Sequence, residues 1–329
     1  MERRGMMLRR FAVGRARHPP PADTTRLPIP ARVLERWWPA LPGPTPERLV
    51  GGADLVHVTG LVLPCTRLPL VVTVHDLAAL RHPELHPRRH VRQQRRLLSR
   101  LDRAAAVAAV SRTTADELVR FGVPAQRIVV SPLGTTFLSA DRRAGAGGPP
   151  VRPYVLAVGE TSPRKRHAVL LGAMARLRDE LDLVVVGPAG TEEDTLEKLI
   201  IELGLTDRVR RLRFADDAAL GVLYEGAVAL CFPSVSEGFG LPVLEAMANG
   251  SPVLASDIPS TREVAGDAAL YVQSDDERSW AEAIRWVASD TVLRGQLTAA
   301  GKERAGKFTW DRTAEATLEA YRLAIKAGR

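Results

Sequence analysis

The chain has 329 residues, enough for two domains of ordinary size, and its 45% hydrophobic and 26% charged residues exclude a disordered or collagen-like protein. Two cysteines, Cys65 and Cys231, lie too far apart in sequence for a disulfide framework, and we expect both to be buried as small apolar residues. The net charge of +8 is unevenly distributed: residues 1–150 have 24 arginines, no lysine and 11 acidic residues, whereas residues 151–329 have 22 basic and 27 acidic residues.

The beginning of the chain gives little sign of regular structure. Nine prolines lie between residues 18 and 47, which predicts a loop with at most one short helix. From residue 53 onward, short β-branched segments alternate with helical patterns or turns, which predicts a parallel sheet covered by helices on both faces. The predicted strands of this part are residues 54–59, 70–75, 106–111 and 127–131.

Residues 144–150, with the sequence Ala-Gly-Ala-Gly-Gly-Pro-Pro, offer almost no side chains that could pack, and their two prolines disfavour a helix. We therefore expect a linker between a first domain of residues 1–143 and a second domain of residues 151–308. Both belong to the α/β class, and two such domains in series place a cleft between two sets of strand carboxyl ends, where ligands bind.

The second domain repeats the alternation of strands and helices. One helix is predicted to open with a capping box at residues 191–194, Thr-Glu-Glu-Asp. Residues 309–329 predict a C-terminal helix, capped by Thr309, that we expect to return toward the first domain. The predicted strands are residues 154–159, 183–187, 209–214, 229–232 and 252–255, and the predicted helices are residues 165–179, 191–204 and 217–226.

The most informative segment runs from residue 232 to residue 250. A strand ends at Phe232, a loop with two glycines follows, and Pro242 fits the first turn of a helix that Asn249 and Gly250 then end. The free backbone N–H groups and the positive dipole end at the start of this helix favour a bound phosphate or diphosphate.

Two glutamates, Glu237 and Glu245, bracket this loop. Eight residues at helical rise separate them by roughly 12 Å, which exceeds the separation of about 5 to 9.5 Å between the two carboxylates of a glycosidase. We therefore expect two acceptors that hold hydroxyl groups on either side of a diphosphate, one on a sugar and one on a ribose.

This segment resembles the E-x7-E signature of the retaining glycosyltransferases of the GT4 family. Their fold, GT-B, consists of two Rossmann-like domains with parallel sheets that face a central cleft. The resemblance continues through residues 246–256 and 262–269 and covers residues 53–326 in all. It implies that Glu237 contacts the hydroxyls of the donor sugar and that Glu245 binds the ribose of the nucleotide. It further implies that the path of the sugar and the phosphates is lined by Gly238, Phe239, Gly240 and Leu241.

A second match to the family lies in residues 159–166, Gly-Glu-Thr-Ser-Pro-Arg-Lys-Arg, directly after a predicted strand. Family members use a lysine here, often with an arginine, to neutralise the donor diphosphate as it becomes the leaving group. A fixed cation in that place stabilises charge that develops in the transition state. The resemblance assigns this role to Lys165. Glu160 replaces the arginine that many members have after the glycine, and we expect Arg164 to supply that charge.

In the first domain, His75 stands at the end of the strand that begins at Leu70. The family has a histidine here beside the donor sugar, and a histidine suits that place because it donates or accepts a hydrogen bond near neutral pH. The resemblance therefore implies a catalytic set of His75, Glu237 and Lys165. We expect His57, in the preceding strand, to be structural.

A cationic stripe is predicted on a helix that begins near residue 88, because Arg88, Arg92, Arg96 and Arg100 recur every four residues. One interpretation is a solvated face, and the other is attraction to an anionic membrane surface or a phosphate-bearing acceptor. Nucleic acid is disfavoured as a partner because no aromatic residues are interleaved with the arginines.

The sequence has no Asp-x-Asp triplet and no histidine or cysteine cluster with metal-ligand spacing, so we expect a metal-independent site. No separate cofactor is expected, since the nucleotide diphosphate sugar, a GDP- or UDP-sugar, is the substrate. No apolar run is long enough to span a membrane, and residues 1–17 lack the apolar stretch of a signal peptide. We expect a cytoplasmic protein in peripheral contact with a membrane.

One departure from the family lies at the start of the chain. Family members usually open with a strand and a glycine-rich loop, whereas residues 1–14 resemble at best a second strand, without such a loop before it. We expect either a shortened first domain or a chain that starts late, and in both cases a sheet edge without its usual first strand.

The resemblance implies a retaining transferase that moves a hexose, such as mannose or glucose, from a nucleotide diphosphate sugar to a hydroxyl acceptor on a glycan or a lipid-linked molecule. Because of the departure at the start, an alternative is a catalytically weak nucleotide-sugar-binding or partner subunit. A third interpretation is a phosphorylase-like enzyme of the same fold.

Overall fold

A computed structural model describes residues 7–13, 24–27, 29, 33–34, 38, 45–136, 152–177 and 181–327. The chain divides into two compact units: the first comprises residues 1–81, 87–132 and 311–329, and the second comprises residues 82–86 and 133–310. The linker predicted at residues 144–150 lies outside the described residues.

Near the start of the chain, two short strands, β1 (Arg10–Val13) and β2 (Thr24–Leu27), pair in parallel as a sheet of their own. The prediction of a strand within residues 1–14 is thus confirmed, and the prediction of a loop throughout residues 18–47 is wrong for Thr24–Leu27. Two adjacent threonines favour an extended chain there, and the prolines flank the strand without interrupting it.

The main sheet of the first unit is parallel and has the strand order β3-β4-β5-β6, and its four predicted strands are confirmed. Their bounds are β3 (Val56–Val58), β4 (Leu70–Val74), β5 (Ala106–Ala109) and β6 (Ile128–Val130). The described helices of the earlier part of this unit are α1 (Pro46–Leu49), α2 (Ala78–Arg81), α3 (Arg88–Leu98) and α4 (Arg112–Arg120).

The two central strands of this sheet, β4 and β5, are buried on both faces, whereas β3 and β6 are half-buried. Leu70, Val72 and Val74 of β4 pack with helices of the same unit, while Val71 points to the opposite face. That second face is covered by the C-terminal helix, whose buried residues include Leu318, Ala320, Tyr321 and Ala324. Its apolar side chains therefore complete the core of the first unit.

The second unit contains a six-stranded parallel sheet with the order β12-β11-β10-β7-β8-β9. Five of its strands were predicted, and the α/β class with parallel sheets is confirmed for the described chain; the short β12 was not predicted. The bounds are β7 (Tyr154–Val158), β8 (Asp182–Val186), β9 (Val209–Leu212), β10 (Ala229–Phe232), β11 (Val253–Ser256) and β12 (Leu270–Val272).

The helices predicted in the second unit are present, but one begins differently. The helix expected to open with a capping box at Thr191 begins at Glu193, after Glu192, whose side chain forms no capping hydrogen bond. The remaining helices are α5 (His167–Arg176), α6 (Glu193–Glu202), α7 (Asp217–Gly226), α8 (Leu241–Ala248), α9 (Pro259–Ala265), α10 (Glu277–Ser289), α11 (Thr291–Ala305) and the C-terminal α12 (Trp310–Ala327).

The strand order of the second unit reverses between β7 and β10. The chain builds outward from β7 to β8 and β9, and then continues on the other side of β7 with β10, β11 and β12. Loops that leave neighbouring strands at such a reversal part in opposite directions and leave a crevice at the carboxyl ends, where ligands of open α/β sheets bind.

The two cysteines differ in their surroundings. Cys231 is fully buried in β10, as predicted, whereas Cys65 is only half-buried, so the prediction of burial is wrong for Cys65. Cys65 lies in the irregular segment between β3 and β4. Among the described residues, no helix is both long enough and apolar enough to cross a membrane.

Candidate functional site

Two loops meet at the reversal point of the second sheet. Residues 159–166 follow β7 and residues 233–240 follow β10, and these two strands are hydrogen-bonded neighbours. The loops are joined directly, because the backbone N–H of Val235 donates to the carbonyl of Arg164 at 3.0 Å and the Arg164 guanidinium donates to the carbonyl of Ser236 at 2.8 Å. Both sequence-predicted motifs thus form one site.

The centre of the site is a buried cluster of three charges. The ammonium Nζ of Lys165 lies 2.8 Å from the carboxylate Oε1 of Glu237, and the guanidinium of Arg164 contacts the same oxygen. The side chains of Lys165 and Glu237 are 9% and 12% exposed. Two cations and one anion in a largely dry pocket leave a net positive charge, which suits an anionic ligand.

The ionisation of Glu237 is fixed by these neighbours. Burial alone would raise the pKa of this carboxyl group, but Lys165 and Arg164 outweigh burial and lower the pKa to about 2. Glu237 therefore carries its negative charge throughout the neutral pH range.

Close packing around Lys165 fixes its direction. Gly159, at the end of β7, has a φ of +149°, and a Cβ atom added there would lie 2.8 Å from Cε of Lys165. Nζ of Lys165 also lies 4.6 Å from the centroid of the Phe232 ring, at a distance typical of a cation–π contact. A glycine at residue 159 thus makes room for the lysine stem.

A second set of residues, with largely buried side chains, supports the Lys165 loop, and their grouping was not predicted. The hydroxyl of Thr161 accepts a hydrogen bond from the N–H of Gly190 at 2.7 Å and donates to the carboxylate of Glu193. Arg211 of β9 pairs with the same carboxylate at 3.0 Å. Burial would raise the pKa of Glu193, but the hydrogen bonds from Thr161 and Arg211 outweigh it and lower the pKa. Thr161 and Glu193 lie in segments that were predicted for other roles, and no sequence signal joins them to Arg211, because the three residues lie on three separate segments.

The residue after Lys165 has an unusual backbone. Arg166 has a φ of 52°, and it is the one non-glycine residue with positive φ among the described residues. Such a conformation costs roughly 1 kcal/mol for a residue with a side chain, and strained backbone of this kind clusters at functional sites. The left-handed conformation of Arg166 turns the chain sharply from the Lys165 loop into α5.

The helix that follows the Glu237 loop begins as predicted. Gly240 has a φ of +105° and precedes α8, Pro242 lies in the first turn, and Asn249 and Gly250 end the helix. The side chain of Phe239 is buried and packs edge-to-face on Phe308 at 5.9 Å between ring centroids. Its ring is therefore part of the packing that holds the loop.

Glu245 lies on α8 and has a different partner from Glu237. The hydroxyl of Tyr224 donates to its carboxylate at 2.9 Å. Burial raises the pKa of Glu245, and the hydrogen bond from Tyr224 opposes that shift only in part. The two glutamates thus have distinct environments, one against two cations and one against a phenol.

The first unit contains the two histidines singled out in the sequence. His75 is exposed and directly follows β4. His57 uses both ring nitrogens, with Nδ1 2.8 Å from the Tyr321 hydroxyl and Nε2 2.7 Å from the Thr73 hydroxyl. The prediction that His57 is structural is confirmed, because neither nitrogen is left for a ligand.

The arginine stripe is shorter than predicted. Helix α3 ends at Leu98, so Arg100 lies beyond it and is half-buried, and the prediction that Arg100 continues the stripe is wrong. The exposed arginines of the helix are Arg88, Arg89, Arg92, Arg95 and Arg96. Its opposite face is buried through Val91, Gln94 and Leu97. Within the described ranges, no group of three or more histidine, cysteine or acidic side chains could hold a metal ion.

Comparison with known proteins gives matches over nearly the whole chain. The family profile of the Glycosyl transferases group 1 matches residues 142–304, and that of Glycosyltransferase Family 4 matches residues 2–136. The O-antigen chain mannosyltransferase B of Escherichia coli is 33% identical over 282 residues, which are 82% of this chain and 74% of that protein. A D-inositol 3-phosphate glycosyltransferase of Nocardia farcinica is 33% identical over 310 residues, or 85% of this chain and 68% of that protein.

Among solved structures, sucrose-phosphate synthase from Thermosynechococcus elongatus is similar to this chain with a TM-score of 0.71 and 26% sequence identity. The superposition covers 83% of this chain and 74% of that protein.

Proposed function

The chain belongs to the GT4-type glycosyltransferases of the GT-B fold, and from that membership we propose that it transfers a hexose with retention of configuration. The donor in this proposal is a GDP- or UDP-sugar carrying mannose or glucose, and the acceptor is a hydroxyl group of a glycan or a lipid-linked molecule. A mannosyltransferase among the 33% identical relatives supports mannose.

The observation that carries the proposal is the buried cluster of Arg164, Lys165 and Glu237 at the reversal point of the second sheet. In the proposed reaction, Lys165 and Arg164 bind the diphosphate and stabilise its charge as the bond to the sugar breaks. No metal or separate cofactor takes part. Attack on the same face as the leaving phosphate, without a protein nucleophile, accounts for retention.

The remaining roles follow the family resemblance. Glu237 and His75 contact the donor sugar, and Glu245 binds the ribose. The path between them is formed by Gly238, Phe239, Gly240 and Leu241. The buried ring of Phe239 limits its contribution to the backbone.

A donor screen tests this proposal. The purified chain is incubated with a panel of nucleotide diphosphate sugars and hydroxyl acceptors, and the released nucleoside diphosphate is measured. We expect Lys165→Ala and Glu237→Ala each to lower donor turnover at least tenfold, about 1.4 kcal/mol of transition-state stabilisation. Lys307→Ala and Glu303→Ala are matched controls, because these two side chains form an exposed ion pair of the same kind. Near-normal rates for both site variants would contradict the assignment.

We further propose that the protein binds an anionic membrane surface through α3. Five exposed arginines lie on this helix, and none of them has an acidic partner within the described part of the chain. The exposed Leu61 lines the same small pocket as Arg96 and Arg100, which adds an apolar contact beside the cations. A cationic face with an adjacent apolar side chain suits an anionic lipid surface.

Vesicle sedimentation tests the membrane proposal. We expect binding to vesicles with phosphatidylglycerol but not to vesicles of phosphatidylcholine alone, and weaker binding as salt is added. Substitution of Arg88, Arg92 and Arg96 by glutamine should weaken binding at least tenfold, since each such charge contributes about 1 kcal/mol. The control removes the same number of charges by replacing Arg176, Arg278 and Arg285, three exposed arginines of the second unit, by glutamine; the first two of them pair with glutamates. Equal losses in both triple variants would contradict a role for α3.

A further inference from the structure

The carboxylate of Glu237 forms ion pairs with Arg164 and Lys165, the two cations that are proposed to bind the diphosphate. Its Oε1 atom contacts both the ammonium of Lys165 and the guanidinium of Arg164. A diphosphate that binds these cations shares them with the carboxylate of Glu237, whose negative charge already neutralises one of the two positive charges. The two anions therefore compete for the same positive charges.

Glu237 also neutralises part of the positive charge that the fold buries at this site. Arg164 and Lys165 are adjacent in sequence, and their side chains are 18% and 9% exposed. Two positive charges that are held together away from water repel each other and lose hydration. A nearby anion is therefore needed to offset this cost, and Glu237 supplies it. Because Lys165 and Arg164 overcome the effect of burial and lower the pKa of Glu237 to about 2, this anion does not become neutral in mild acid.

We propose that Glu237 is the internal counter-ion of the diphosphate site, which competes with the diphosphate for Arg164 and Lys165 and promotes release of the nucleoside diphosphate product. This inference rests on the proposed function. Before the reaction, Glu237 gives up the cations to the diphosphate and turns to the sugar hydroxyls. After transfer, the sugar has left, and the carboxylate returns to the cations as the nucleoside diphosphate dissociates.

A competing counter-ion and a residue that only binds the sugar have opposite effects on the affinity for a diphosphate. Loss of a ligand contact normally weakens binding, whereas removal of a competing charge strengthens it. Glu237→Gln keeps the shape of the side chain but removes its charge. It should therefore lower donor turnover and at the same time tighten the binding of anions that carry a diphosphate.

Calorimetry with inorganic pyrophosphate tests this expectation, because pyrophosphate has neither base nor ribose nor sugar. We expect Glu237→Gln to bind pyrophosphate, GDP and UDP at least tenfold more tightly than the unsubstituted chain. Glu245→Gln is the matched control, since its carboxylate faces the Tyr224 hydroxyl and no cation of this cluster. It should leave pyrophosphate binding within twofold of the unsubstituted chain. Unchanged or weaker pyrophosphate binding by folded Glu237→Gln overturns the proposal.

Two further variants keep the test decisive. In a Lys165→Gln background, the gain from Glu237→Gln should fall below threefold, because one of the contested cations is gone. If Glu237→Gln does not fold, Glu237→Asp retains the charge but withdraws the carboxylate from the two nitrogens. Glu237→Asp should bind pyrophosphate more tightly by about threefold, corresponding to about 0.6 kcal/mol, and equal or weaker binding overturns the proposal.

Turnover of a nucleotide sugar tests the proposed function, and pyrophosphate binding by the Glu237 variants tests the counter-ion, so the two can fail independently. A chain that turns over no nucleotide sugar, but whose Glu237→Gln variant binds pyrophosphate more tightly, contradicts the proposed function and retains the counter-ion. A chain that turns over a nucleotide sugar, with no gain in pyrophosphate binding in the variants, retains the function and loses the counter-ion.

Discussion

Arg164 and Ser236 are 72 positions apart in the chain, and a hydrogen bond between them joins the two loops of the site. The neighbours of Lys165 leave it little freedom, with Phe232 beside its ammonium group and Gly159 beneath its stem. At the scale of single residues, the two cations Arg164 and Lys165 are therefore held in fixed positions by their neighbours, so little of their reorganisation is left for the reaction itself.

Gly159→Ala tests whether close packing fixes the position of Lys165. The new Cβ would lie 2.8 Å from Cε of Lys165, and the φ of +149° disfavours any residue with a side chain. We expect the lysine to be displaced and donor turnover to fall about tenfold. Gly122→Ala is the control, because Gly122 also has a positive φ, +89°, but a Cβ there meets nothing within 4 Å. It should cost about 1 kcal/mol of stability and leave turnover unchanged; similar rates for the two variants would argue against close packing as the cause.

At the scale of secondary-structure elements, α12 is held on the first unit by polar as well as apolar contacts. Tyr321 of α12 bonds to His57 of β3, which in turn bonds to Thr73 of β4. Burial, with a smaller contribution from His75, lowers the pKa of His57 from 6.5 to about 4. The folded protein thus holds this histidine neutral under conditions in which the unfolded chain is protonated.

This shift predicts a pH dependence of stability. The stabilising contribution of neutral His57 is complete above pH 6.5 and is lost as the pH falls from 6.5 toward 4, because the unfolded chain binds the proton first. Between pH 7 and pH 5 the free energy of unfolding should fall by about 2 kcal/mol more in the unsubstituted chain than in His57→Gln. Urea titrations at the two pH values measure this difference. Tyr321→Phe keeps the histidine and should show the pH dependence of the unsubstituted chain.

At the scale of the whole molecule, the chain order and the spatial units do not coincide. Residues 311–329 follow the second unit in sequence but belong to the first, where Ala320 and Ala324 are fully buried against the sheet. The sequence charge is divided differently, with a positive surplus of 13 in residues 1–150 and a negative surplus of 5 in the remainder. The first unit thus depends on a segment from the far end of the chain for part of its core.

Ala324→Asp tests that dependence. A carboxylate buried without a partner should destabilise the first unit by about 3 kcal/mol. We expect faster amide hydrogen exchange in β4 and β5, with little change in β7 and β8. Ala327→Asp is the matched control, since Ala327 is exposed on the same helix. Faster exchange in both units, or in neither, would contradict the assignment of α12 to the core of the first unit.

Much of the fold followed from local pattern. The β-branched segments after residue 53 were identified as strands because buried parallel strands are rich in β-branched and other apolar residues, and nine of the twelve described strands overlap predicted segments. A tenth strand, β1, lies within residues 1–14, for which the sequence offered at best one strand. The strands β2 and β12 were not predicted, and neither was the end of α3 before Arg100.

The sequence by itself determined the α/β class and the family and singled out Lys165, Glu237 and Glu245 as candidate site residues, because glycines, prolines and charges at fixed spacing mark turns and helix starts locally. Only the tertiary structure decided that Glu237 shares its carboxylate with Arg164 and Lys165, that Thr161, Glu193 and Arg211 support the lysine loop, and that α12 completes the first unit. These contacts join segments far apart in the chain, and their energies depend on burial and distance, neither of which spacing along a sequence specifies.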